Sequence, residues 1–191
     1  STHDIFVENM VEYVDVCRKM IDAGHEIMYV SKPHLEGTKK FIEEVAKLPS
    51  TLHYMKNINV WITITTDNNE LIKVWEPHAP SYEERVECLK LLQCAGFRTS
   101  IMCEPYLSDP FSFIPKLAKY VKGVIAVGVM NYTSTFQFDE DDDVNVEMKE
   151  YLSKLYTPDN INVLIEKMMK FKNVHVLPKK ELTKFVLKHY K

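Results

Sequence analysis

The chain has 191 residues, 46% of them apolar, enough for one well-buried core and a single domain overall. Its net charge of −3 disfavours a dedicated nucleic-acid binder while leaving room for a local basic patch. No apolar run approaches the ~20 residues of a membrane helix, and no signal peptide is recognisable, so a cytoplasmic protein is expected.

Residues 1–4, Ser-Thr-His-Asp, form a polar cluster at the start of an apolar-periodic stretch. His3 beside Asp4 reads as an oriented base, or Asp4 as a helix cap. Met10, Val14, Cys17 and Ile21 then fall on one helical face, and Ala23-Gly24 ends it. Residues 26–30 read as a short buried strand that stops at Ser31-Lys32-Pro33. A second helix is expected over 35–48. Its buried stripe is Leu35, Thr38, Ile42 and Val45, with Lys39, Lys40, Glu43 and Glu44 turned outward.

Residues 60–64 form the next strand. Thr63 and Thr65 alternate with Ile62 and Ile64, so one face presents hydroxyls and the other enters a core. Ser81 and Glu84 make a capping box for a helix that turns Val86, Leu89 and Leu92 inward. Residues 98–103 are a third strand and 124–129 a fourth, with a helix over 113–121 between them. The phrases AGHEIM at 23–28 and AGFRTSIM at 95–102 are helix-to-strand junctions of one kind, as in a repeated βα unit.

The acidic run at 139–143 reads as a solvated loop or a helix start rather than a metal site. Thr157-Pro158 is an N-cap with proline at the first helical position. Ile161, Leu164, Ile165, Met168 and Met169 give the next apolar face, residues 174–176 a short strand, and residues 179–191 an amphipathic helix. Cys17, Cys88, Cys94 and Cys103 lack metal-type spacing, so free thiols in a reducing compartment are expected and no metal ligand is assigned.

Alternating strands and helices predict an α/β fold with a parallel sheet and right-handed crossovers. Four to five strands cannot close an eight-stranded barrel, so an open or partial β/α barrel is expected over 1–135, with a helical extension over 136–191. The carboxyl ends of parallel strands lie along one rim, where such folds place their chemistry. That rim would carry Thr2, His3 and Asp4; Ser31 and Lys32; Thr63 and Thr65; Glu76; Cys103 and Glu104; and Met130 and Asn131. Lys32 suits a carboxylate or phosphate. Glu76 and Glu104 each precede a proline. Either reads as a hydroxyl ligand, as an acid or base, or as a partner for Arg85 or Arg98. No glycine-rich phosphate loop, G-x-S-x-G or H-E-x-x-H occurs.

Together, STHDI, VSKP, WEPHAPSYEERVECLK, AGFRTSIMCEP and VGVMN resemble, in order and spacing, the radical S-adenosylmethionine superfamily, nearest its spore photoproduct lyase-like branch. The resemblance implies a partial barrel that holds S-adenosylmethionine and a [4Fe-4S] cluster. It implies a 5′-deoxyadenosyl radical that abstracts hydrogen from a substrate the sequence does not identify. It places Ser1 at the end of the family's second strand, so the C-x3-C-x2-C cluster loop is absent from this chain, which is expected to be inactive alone. By the same resemblance, residues 2–4 meet the methionine end of the cofactor, and Lys32 pairs with its carboxylate. Thr63 or Thr65 matches a serine that contacts it, and Cys103, Glu104, Met130 and Asn131 line the adenine and substrate pockets. Ser1 stands where the lyase has its hydrogen-donor cysteine, which argues against dimer repair. Two other readings stay open. One is a phosphate- or sugar-handling β/α enzyme using Lys32 with Glu76 or Glu104. The other is a non-catalytic binding or scaffold module.

Overall fold

The computed structural model describes residues 7–130 and 143–189, with side chains omitted at 143–145 and 185–189. Thr2, His3, Asp4 and Asn131, and the acidic run up to residue 142, lie outside them. The core element is β2 (Ile58–Thr63). Ile58, Val60, Ile62 and Ile64 are buried on one face, the period-2 pattern of a strand lying against a layer of helices.

Five strands form one parallel sheet in sequential order: β1 (Ile27–Ser31), β2, β3 (Arg98–Cys103), β4 (Val124–Val127) and β5 (His175–Pro178). Every connection therefore returns to the adjacent strand. α1 (Met10–Asp22), α2 (Leu35–Ala46) and α5 (Tyr82–Ala95) pack side by side in one layer. Met10, Val14, Cys17 and Ile21 are the buried face of α1, as their spacing predicts. Phe41 of α2 joins that layer to Phe97 at the head of β3, ring centroids 5.4 Å apart. The sheet is thus built from the α/β alternation read in the sequence. The C-terminal stretch supplies a strand to it as well as α7 (Asp143–Leu155), α8 (Pro158–Lys170) and α9 (Lys180–His189).

Several local expectations change. Glu44 is buried rather than outward, because Lys40 at 2.9 Å and Lys47 at 2.7 Å clasp its carboxylate and fold their stems over it. Met169 is 72% exposed; α8 buries Ile161, Leu164 and Met168, a narrower stripe. The Ser81 hydroxyl does accept from the Glu84 amide at 3.2 Å. The Glu84 carboxylate, however, accepts from Leu35 N at 2.8 Å and ties α5 to the start of α2 instead of reaching back. Two short helices, α3 (Thr51–Asn57) and α4 (Asn69–Trp75), occupy stretches read as connections, and α6 (Ile114–Leu117) is a single turn between β3 and β4.

Candidate functional site at the carboxyl rim

Past the end of the sheet the strand ends stay laced together. Ile64 N donates to Met102 O and Leu107 N to Thr65 O, both at 2.9 Å. Gly128 N donates to Cys103 O at 3.0 Å, Tyr106 N to Gly128 O at 2.9 Å, and Lys179 N to Val127 O at 2.7 Å. These bonds join the strand ends along one rim, and four of the polar residues predicted for it, Lys32, Thr65, Glu76 and Glu104, fall there in two clusters.

The first cluster is centred on Glu76, which follows α4 and is buried. One carboxylate oxygen lies 3.1 Å from the Lys32 ammonium and accepts from the Thr65 hydroxyl at 3.1 Å. The other accepts from the Arg85 guanidinium at 2.5 Å. Arg85 has no exposed surface, so each of its donors needs an acceptor. Its Nε donates to Pro80 O at 2.9 Å and its other terminal nitrogen to Thr63 O at 3.1 Å. The guanidinium thus pins the loop between α4 and α5, the end of β2 and the Glu76 carboxylate in one arrangement. The planar fork makes this possible; a lysine has no comparable geometry. Among the described residues two cations face this one carboxylate, which leaves a positive charge over. That charge resides at Lys32, whose side chain is 41% exposed while Arg85 is enclosed.

The second cluster is Glu104 with Lys179, 3.2 Å apart, across Gly128. A Cβ at Gly128 would stand 2.8 Å from the Glu104 carboxylate and 2.9 Å from Lys179 Cβ. Glycine is needed there by close approach, not by an unusual φ. Cys103 lies beneath both clusters. Its thiol pKa is pushed strongly upward, first by burial and then by the charges of Glu76 and Glu104. It is a protonated core thiol and no nucleophile at neutral pH.

Of the predicted residues, Lys32, Thr65 and Glu76 are brought into direct contact. Glu104 stands with Lys179 instead of Arg98. Ser31 is in register with Ile62 and shares the buried, helix-side face. Thr63 is buried and contributes its carbonyl to Arg85. The Met130 amide donates to Tyr156 Oη at 3.3 Å, and Tyr156 in turn donates to Tyr106 O at 2.8 Å. The pairing of Glu76 with Arg85 was one of the alternatives the sequence offered. Lys179 and Gly128 belong to the site without having been singled out, since Lys179 meets Glu104 only through the pairing of β4 with β5. Among the described residues no three His, Cys, Asp or Glu side chains could hold a metal ion. None of their helices is long and apolar enough to cross a membrane. Compared with protein-family models, curated proteins and solved structures, the chain gives no match.

Proposed function

We propose that the chain is the cofactor-binding part of a partial β/α barrel of the radical S-adenosylmethionine type, and that its rim takes S-adenosylmethionine by the carboxylate. Sequential parallel strands are laid down as in a β/α barrel, which supports the fold reading. The observation that carries the functional one is the charge surplus at Lys32. The internal pair of Glu76 and Arg85 is fixed, so an incoming carboxylate meets a half-exposed ammonium already held at the strand ends. Thr63 and Thr65 stand beside it on the next strand. Bound there, S-adenosylmethionine would supply hydrogen-abstraction chemistry after one-electron reduction. A [4Fe-4S] cluster does not fit the described residues. Cys17, Cys88 and Cys103 are buried on three different elements, and only Cys94 is exposed. This chain by itself binds the cofactor without cleaving it.

The same surplus charge would accept a phosphate, which keeps the phosphate- or sugar-handling reading as the second one. Isothermal titration separates them. S-adenosylmethionine and S-adenosylhomocysteine are expected to bind, with Lys32→Met weakening both at least about tenfold, ~1.4 kcal/mol. Binding of inorganic phosphate or a sugar phosphate without S-adenosylmethionine would favour the second reading. Failure of all of these ligands would leave only a scaffold.

A further inference from the structure

β1 is an edge strand, and among the described residues no strand pairs with its outer side. Folded proteins guard such edges with charged residues, proline, a bulge or shortness. β5, at the other edge, has four residues and ends on Pro178. β1 is Ile-Met-Tyr-Val-Ser, with neither a charge nor a proline. Apolar surface gathers on the same side. Of the eleven large hydrophobic residues exposed among the described residues, five belong to α1 and β1: Val11, Val16, Met20, Met28 and Val30. Strand residues alternate between faces, so Met28 and Val30 share the face opposite the buried Ile27 and Ser31. Exposed Glu26 and half-exposed Lys32 flank the strand in the same phase. The row reads acid, apolar, apolar, base.

We propose that the chain forms a twofold dimer through β1, which joins two five-stranded sheets into one continuous sheet. An interface about a twofold axis needs a surface complementary to itself, and this row is one. With the axis at Tyr29 and the two strands antiparallel, Met28 meets Val30 of the second copy and Glu26 meets Lys32 of the second copy. Each contact is made twice. Opposed apolar and opposite-charge pairs of this kind are what stabilise and register antiparallel strands. Slipping the pairing by two residues sets Lys32 against Met28, or Glu26 against Val30, and loses both charge contacts. The proposal does not rest on the rim's ligand. A cofactor carboxylate would compete with Glu26 of the second copy for Lys32.

Sedimentation equilibrium of the unliganded chain, with Glu26→Lys and Lys32→Glu as variants, tests it. Each reversal sets like charges opposite one another at both ends of the strand pair and is expected to weaken the dimer at least about tenfold. Mixed in equal amounts, the two variants again set opposite charges across the pair, so dimer formation is expected to recover. A cross-link reads the register without altering either charge. Cys94, the exposed thiol, is first replaced by serine. Met28→Cys mixed with Val30→Cys is then expected to form an intermolecular disulfide, because opposed Cα atoms lie ~4.5–5.5 Å apart and disulfides span ~4.4–6.8 Å. Either cysteine variant alone places its two thiols two residues apart along the pair and is expected not to cross-link. A chain that stays monomeric at millimolar concentration, charge reversals that leave the dimer unchanged, or cross-linking by one cysteine variant alone would overturn the proposal.

Discussion

At the scale of single residues, Arg85 matters most. A guanidinium with no exposed surface is tolerated here because each of its three nitrogens has a partner, Glu76 or one of two carbonyls. Arg85→Met removes one partner of a buried ion pair and is expected to lower the unfolding free energy by about 3–5 kcal/mol in urea denaturation. Lys32→Met should change stability by less than about 1 kcal/mol, because its side chain is half in water. A comparable loss for both variants would show that the cluster is a structural network and not a binding rim. The thiols divide in the same way. Burial pushes Cys88 up to about 11, and Cys17 and Cys103 also lie above the usual thiol range. In the folded chain at neutral pH, an alkylating reagent is therefore expected to modify Cys94 and spare the other three, countable by intact mass.

At the scale of elements, the caps decide where helices begin. The Thr157 hydroxyl accepts from the Asn160 amide at 3.3 Å, and Thr157→Ala should cost ~1 kcal/mol by thermal denaturation. Gly96 closes α5 with φ of +102°, and a Cβ there would meet nothing nearer than Met55 Sδ at 3.8 Å. The cost of Gly96→Ala is therefore conformational, about 1 kcal/mol, and a stabilised variant would contradict the assigned backbone. These features were legible in the sequence because caps, helix-ending glycines and period-2 strands are local signals. The four buried residues of α1 and the bounds of β3 were legible for the same reason. α4 was not: it has seven residues, buries only Ile72, and never completes an amphipathic period. Nor was the burial of Glu44 and Arg85, since a charged side chain in a helix is ordinarily solvated and only tertiary partners bring it inside. The rim could be placed from strand ends alone. Of its pairings, Glu76 with Arg85 was among the alternatives the residues offered, whereas Glu104 with Lys179 was not, because those two meet only through the pairing of β4 with β5.

At the scale of the whole molecule, the buried acids couple the fold to alkaline pH. The Cys88 thiol ionises near 9.0 when freely solvated and stays protonated to about 11 in the fold. Burial raises the Tyr106 and Tyr156 phenols as well. Through that window the unfolded chain binds fewer protons than the native one, so stability falls as pH rises. The urea midpoint is expected to decline steadily above about pH 9, and Cys88→Ala should flatten the decline. An unchanged midpoint up to about pH 10.5 would contradict the buried, protonated state.

The sequential strand order has one more consequence. Each βα unit is stitched only to the units before and after it along the chain, so the assembly is modular, like a course of bricks with both ends left toothed. Among the described residues no strand pairs with the outer edge of β1 or β5, so the backbone there has the spacing a further strand would match. One more unit laid against Ile27–Ser31 would lengthen the course without disturbing any pairing already made.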